Sequence, residues 1–67
     1  MLFRSYDYAS FALFRLYHSE EMPDNKAYCL DKAIKYGAKA VELNPNDVRL
    51  RTNLQFYLKE QSGNDNL

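Results

Sequence analysis

Apolar and polar positions recur along this chain with the period of a helix, and two prolines divide the pattern into three parts. In the first part Phe3, Tyr6, Ser10, Leu13 and Tyr17 follow a three-four spacing and share one helix face. Phe14 extends that face, while Tyr8 and Phe11 widen it toward the other side. Aromatic residues favour strands, and "LFRSYDY" alone would allow one. The following "FALFRLY" has helical spacing instead, so the pattern predicts one helix over 2–21.

"MPDN" reads as the first turn, with Asp24 as N-cap, because its carboxylate can accept an unpaired backbone N–H. A second helix is predicted over 25–43. Leu30, Ile34, Gly37 and Val41 form its stripe, with Ala33 and Ala40 beside them and Lys32, Lys35 and Lys39 on the wet side. Pro45 ends it, since the residue before a proline is pushed out of the helical region. Asp47 is the predicted N-cap of a third helix over 48–60. Leu50, Leu54, Tyr57 and Leu58 make its apolar face, surrounded by Arg49, Arg51, Asn53, Gln55 and Lys59. The polar end "QSGNDNL" predicts a frayed tail. The reading is all-α: one three-helix domain over 1–61 and a flexible tail over 62–67.

The small residues Ala33, Gly37 and Ala40 give the second helix a flat flank that a neighbour can approach closely. Glycine inside a helix costs about 0.5–1 kcal/mol relative to alanine, so something should offset Gly37. An aromatic from the first helix, Phe14 or Tyr17, is expected to fill the notch.

The segment "KAIKYGAKAVELNPND", residues 32–47, resembles the second helix of a tetratricopeptide repeat, a helix–turn–helix unit of about 34 residues. The family's small residues fall on Ala33 and Ala40, and its terminal proline on Pro45. "NDVRLRTNLQFYLKEQ" looks like the opening helix of a following repeat, with Asn53-Leu54 where the family has an Asn-Leu pair. Gly37 departs from the pattern, standing where a large aromatic is usual. Arg51 and Gln55 replace a Trp-like residue and a glycine. The resemblance covers 32–61 well and 1–25 only loosely. It implies a helical hairpin followed by a capping helix, and the polar Arg51 and Gln55 suit such a solvating cap.

Repeats of this kind bury their faces on one another, and about three are normally needed for stability. A chain with fewer should borrow surface from a partner, so the resemblance implies protein–protein interaction. In the family the opening helices line a concave groove. By position this gives Arg49, Thr52, Asn53, Phe56 and Lys59. Some members clamp a peptide's C-terminal carboxylate from three successive opening helices. Asn53 sits at one matching position, but the sequence supplies no third opening helix and its first helix no matching Lys-Asn pair, so a complete clamp is not expected.

Composition points the same way. A domain of 67 residues has a thin core, burying only about 60% of the surface its unfolded chain exposes. The single cysteine, Cys29, excludes an internal disulfide. Cys29 and His18 are too few for a structural zinc site, which takes about four ligands. Nine basic and nine acidic residues are interspersed and give zero formal charge. With no basic block, neither a nucleic-acid nor a membrane footprint is expected. No stretch approaches the roughly 20 apolar residues of a membrane span. Arg4 and Asp7 interrupt the start "MLFRSYDYAS", which does not read as a secretory signal. A lone thiol without a signal suggests a reducing, cytoplasmic setting.

Candidate chemistry is sparse. His18 reads as a surface histidine near a helix end, favoured there by the helix dipole. Cys29 reads as a packed structural residue. Asp24, Asp31 and Asp47 are dispersed. The sequence holds no paired acid and base, phosphate loop, Ser-His-Asp set or metal motif. The expectation is no enzyme, no cofactor, no metal and no small-molecule substrate. The four Phe and six Tyr remain. Three helices cannot cover every side of so aromatic a first helix, and exposed aromatics are typical interface anchors. Phe3, Tyr8 and Phe11 are therefore expected to dock on a partner, with Arg49, Asn53, Phe56 and Lys59 on the groove. Phe14, Tyr17, Ala33, Gly37, Ala40 and Pro45 are expected to pack the unit. The function expected is a small interaction module, a subunit or adaptor. A self-assembling homo-oligomer, or a small regulator that blocks another protein, are the alternatives.

Overall fold

The computed structural model describes residues 2–65, with side chains described over 4–63. Three helices run in order: α1 (Leu2–Ser19), α2 (Pro23–Leu43) and α3 (Val48–Asp65). Among the described residues there is no strand, so the chain is all-α as its spacing predicts.

Local hydrogen bonding explains where each helix stops and starts. The Glu20 N–H donates to the Leu16 carbonyl at 2.9 Å. The Glu20 carboxylate then accepts from the N–H groups of Glu21 (3.0 Å) and Met22 (3.1 Å), which turns the chain after Ser19. Pro23 opens α2, where its missing N–H costs nothing and its fixed φ suits the first helical position. The N-cap is Met22, in extended conformation and without a side-chain cap bond. Asp24 is thus not the cap that the sequence suggested. It lies inside the first turn, where its charge complements the helix dipole.

The other two boundaries follow the sequence. Asn44 leaves the helical region at φ −144°, ψ 72° before Pro45, and its N–H still reaches the Ala40 carbonyl at 3.0 Å. Asp47 Oδ1 accepts from the Arg49 N–H (2.9 Å) and the Leu50 N–H (3.4 Å), which is N-cap geometry. α3 continues past Glu60 to Asp65, so the described part of the expected tail is helical and not frayed. Gly63 does not interrupt it.

The core gathers Phe14 and Tyr17 from α1, Cys29, Leu30 and Ala33 from α2, and Tyr57 from α3, with Leu13 and Ile34 packed against them. The Phe14 ring is its centre, 4.6 Å from Tyr57 and 5.7 Å from both Tyr17 and Phe56 between centroids. Ala40 and Leu50 are also buried. Tyr17 touches all three helices: its hydroxyl donates to Glu60 Oε1 at 3.2 Å, and Lys26 Nζ sits 5.1 Å from its ring centroid. α1 and α2 are further joined by stacked Tyr6 and Tyr36, 6.0 Å apart.

Gly37 is filled from an unexpected direction. A Cβ there would lie 3.4 Å from Cδ2 and Cε2 of Tyr57 and 3.5 Å from Cδ1 of Leu54. The side chains in the notch come from α3, and not from Phe14 or Tyr17 of α1 as the sequence suggested. Four residues carry a helix about 40° past one full turn. Ala33 lies in the core cluster with Phe14, Tyr17 and Tyr57, and Gly37, one turn on, meets Tyr57 and Leu54 of α3. Phe14, Tyr17, Ala33, Gly37 and Ala40 are buried, but Pro45 is exposed. The proline ends α2 and does not pack.

Candidate docking cleft

α1 and α3 flank a cleft of about 420 Å³ lined by Arg4, Asp7, Tyr8, Phe11, Arg49 and Asn53. The helix period explains its membership. Residues 4, 7, 8 and 11 form one strip of α1, and residues 49 and 53 are one turn apart on α3. Four residues singled out from the sequence, Tyr8, Phe11, Arg49 and Asn53, meet here. Phe56 and Lys59 line a separate depression with Glu60 and Gly63, further along α3. Thr52 is exposed and outside both. Phe3 lies outside the residues whose side chains are described.

Arg4 and Asp7 escaped sequence reading. The signal was present, since Arg4 precedes Tyr8 by four residues and Asp7 precedes Phe11 by four. An aromatic strip on a helix implicates the charged residues one turn away.

The aromatic walls are open to solvent. Tyr8 is 76% exposed and Phe11 52% exposed. Arg15 stands beside Phe11, its guanidinium carbon 6.0 Å from the ring centroid. The Arg4 and Arg49 guanidinium groups have no hydrogen-bond or ion-pair partner among the described residues, where the one salt bridge joins Lys39 to Glu42 on α2.

Beneath the Asp7 side of the cleft lies a small polar cluster. Ser10 is fully buried and its Oγ donates to the Asp7 carbonyl at 2.8 Å. The Tyr57 hydroxyl is buried without a hydrogen-bond partner among the described residues. Burial pushes the Tyr57 phenol above its ordinary value; the Ser10 hydroxyl, close by but outside hydrogen-bond geometry, partly opposes that shift and the Asp7 carboxylate adds to it.

Folding also sorts the interspersed charges. The turn between α1 and α2 and the first turn of α2 hold Glu20, Glu21 and Asp24, while the cleft is lined by Arg4 and Arg49 with Asp7, flanked by Arg15 beside Phe11 and by the Asp47 cap beside Arg49. A chain of zero formal charge thus lines this cleft with two arginines against one aspartate, together with two aromatic rings.

The remaining chemical candidates are placed differently. His18 is exposed and edge-on to Phe14, 4.7 Å between centroids. Cys29 is a buried free thiol in the core. Among the described residues no group of three or more His, Cys, Asp or Glu could hold a metal ion, and no helix is long and apolar enough to cross a membrane. Comparisons with protein-family models, with curated proteins and with solved structures found no match to this chain.

Proposed function

We propose that this chain is a small protein-docking module of tetratricopeptide-like architecture, a subunit or adaptor that binds another protein through the cleft between α1 and α3. One observation carries the reading: solvent-exposed aromatics and guanidinium groups without a partner among the described residues converge from two helices on one concave surface. Aromatic and arginine side chains are the chemistry of interface hot spots. A standard interface covers roughly 800 Å² a side, and the cleft with the flanking Arg15 offers a place to begin one.

The repeat-like reading is supported by the α1–α2 hairpin, by the buried small residues Ala33, Gly37 and Ala40, and by the way α3 packs on α2 after Asn44-Pro45. In this reading the chain performs no reaction, and the buried thiol of Cys29 suits a reducing, cytoplasmic setting.

Photo-cross-linking tests the proposal. A benzophenone amino acid is placed at Tyr8 in one protein and at Tyr28, an exposed residue of α2 outside the cleft, in another. The expected result is a covalent adduct to a second protein from position 8 and none from position 28. An adduct with the mass of two copies would replace this reading with self-assembly. Equal labelling from both positions, or none from position 8, would overturn it.

A further inference from the structure

We propose that the occupant of the cleft is an internal acidic segment of the partner, with side-chain carboxylates close to an apolar residue. This rests on the docking reading above and adds the chemistry of what docks. Arg4 and Arg49 stand on different helices, line the same cleft and are unpaired among the described residues. A guanidinium is always charged and offers a planar fork of donors that matches a carboxylate. Two such forks on separate walls match two carboxylates along one segment, whereas a chain terminus supplies a single one.

Between them, Tyr8 and Phe11 present ring surface to an apolar side chain. Asn53 offers both a donor and an acceptor, which suits a peptide backbone. Asp7 is the one acidic residue in the lining, half-buried beside Ser10, so the lining keeps an excess of positive charge. Nucleic acid fits less well, because binding it draws on many phosphate contacts and this surface carries few cations. A lipid surface fits less well too, because stable membrane attachment draws on a basic cluster or a broad apolar face, and this lining holds two arginines and one aspartate.

The probe is a fluorescein-labelled peptide of alternating glutamate and leucine, acetylated and amidated so that its ends carry no charge. A lysine–leucine peptide is its counterpart. Anisotropy titrations on the full chain should show the glutamate peptide binding about tenfold or more tightly than the lysine peptide, and weakening as salt rises. Arg4→Gln combined with Arg49→Gln should lose about tenfold in affinity. Both positions are exposed, and circular dichroism checks that the double variant keeps its helices. Lys35→Gln, which removes a charge from α2, should leave binding unchanged.

Equal binding of the two peptides, or an unaltered affinity in the arginine double variant, would overturn the proposal. So would binding to phosphatidylserine–phosphatidylcholine vesicles without binding to the glutamate peptide. If that peptide fails while position 8 still cross-links to a second protein, the acidic occupant falls and the docking reading stands.

Discussion

The ring of Tyr57 occupies the space beside Gly37, two of its carbons lying 3.4 Å from where a Cβ of residue 37 would stand. α3 is thereby seated on α2 through the absence of a side chain. The separation is ordinary van der Waals contact, so a methyl group fits and a larger group does not.

Gly37→Ala is therefore expected to stabilise the chain. It removes a helix-interior glycine, a gain of about 0.5–1 kcal/mol, without displacing Tyr57. In a domain of this size about 1 kcal/mol moves the thermal midpoint by roughly 4–8 °C. Gly37→Phe should instead drive Tyr57 and Leu54 out and lower stability by about 1–3 kcal/mol. Thermal melts followed by circular dichroism decide both. A stabilised Gly37→Phe protein would contradict the position of α3.

Tyr57 itself carries a hydroxyl that is buried and unpaired among the described residues. Removing such a group recovers part of its desolvation cost, so Tyr57→Phe should gain about 1 kcal/mol, whereas Tyr57→Ala should lose about 3–5 kcal/mol of ring burial. The phenol also gives alkaline pH a direction. Its folded-state pKa lies above the ordinary value, chiefly through burial. The folded state therefore holds the proton where the unfolded state releases it. Stability from this group is complete below the unfolded pKa, near 10, and is lost as pH rises through the folded value. Urea titrations across that range should show wild type weakening and Tyr57→Phe weakening less.

Tyr17 joins α1 to the far part of α3 by its bond to Glu60 at 3.2 Å. Tyr17→Phe and Glu60→Leu should each cost about 1 kcal/mol. Because both remove the same bond, the double variant should cost little more than either single one. A double-mutant cycle in denaturant checks this coupling. Fully additive losses would mean that the bond contributes nothing.

The two aspartates proposed as caps should separate. Asp47 accepts two backbone N–H groups of α3, so Asp47→Ala should cost about 1 kcal/mol. Asp24 only faces a helix dipole from within the first turn, so Asp24→Ala should cost no more than about 0.3–1 kcal/mol, and less at high salt. Parallel melts at low and high ionic strength distinguish the two roles.

Much of this protein was determined by residues within a turn of one another. The three-four spacing of Leu13 and Tyr17, of Leu30 and Ala33, and of Leu50, Leu54 and Tyr57 sets three helices. Pro45 stops α2 and Asp47 starts α3, because both act on backbone groups at most a few residues away. Even the identity of a small-residue flank on α2 could be read in order along the chain. Where local signals competed, the reading slipped: Pro23 at the first helical position displaced the cap that Asp24 seemed to offer.

The tertiary structure decided what the flank receives and what remains uncovered. Ala33 and Gly37 lie on the same side of α2, and it is Tyr57 and Leu54 of α3 that stand against Gly37. Linear spacing does not say which neighbour stands there. The same holds for the cleft. Arg4 and Asp7 became part of it, and Phe56 and Lys59 were set apart, only once α1 and α3 had been laid on α2 at particular angles. Tyr8 and Phe11 face water for the same reason: α2 covers one side of α1, and α3 meets α1 around Ser10, Phe14 and Tyr17 without covering them.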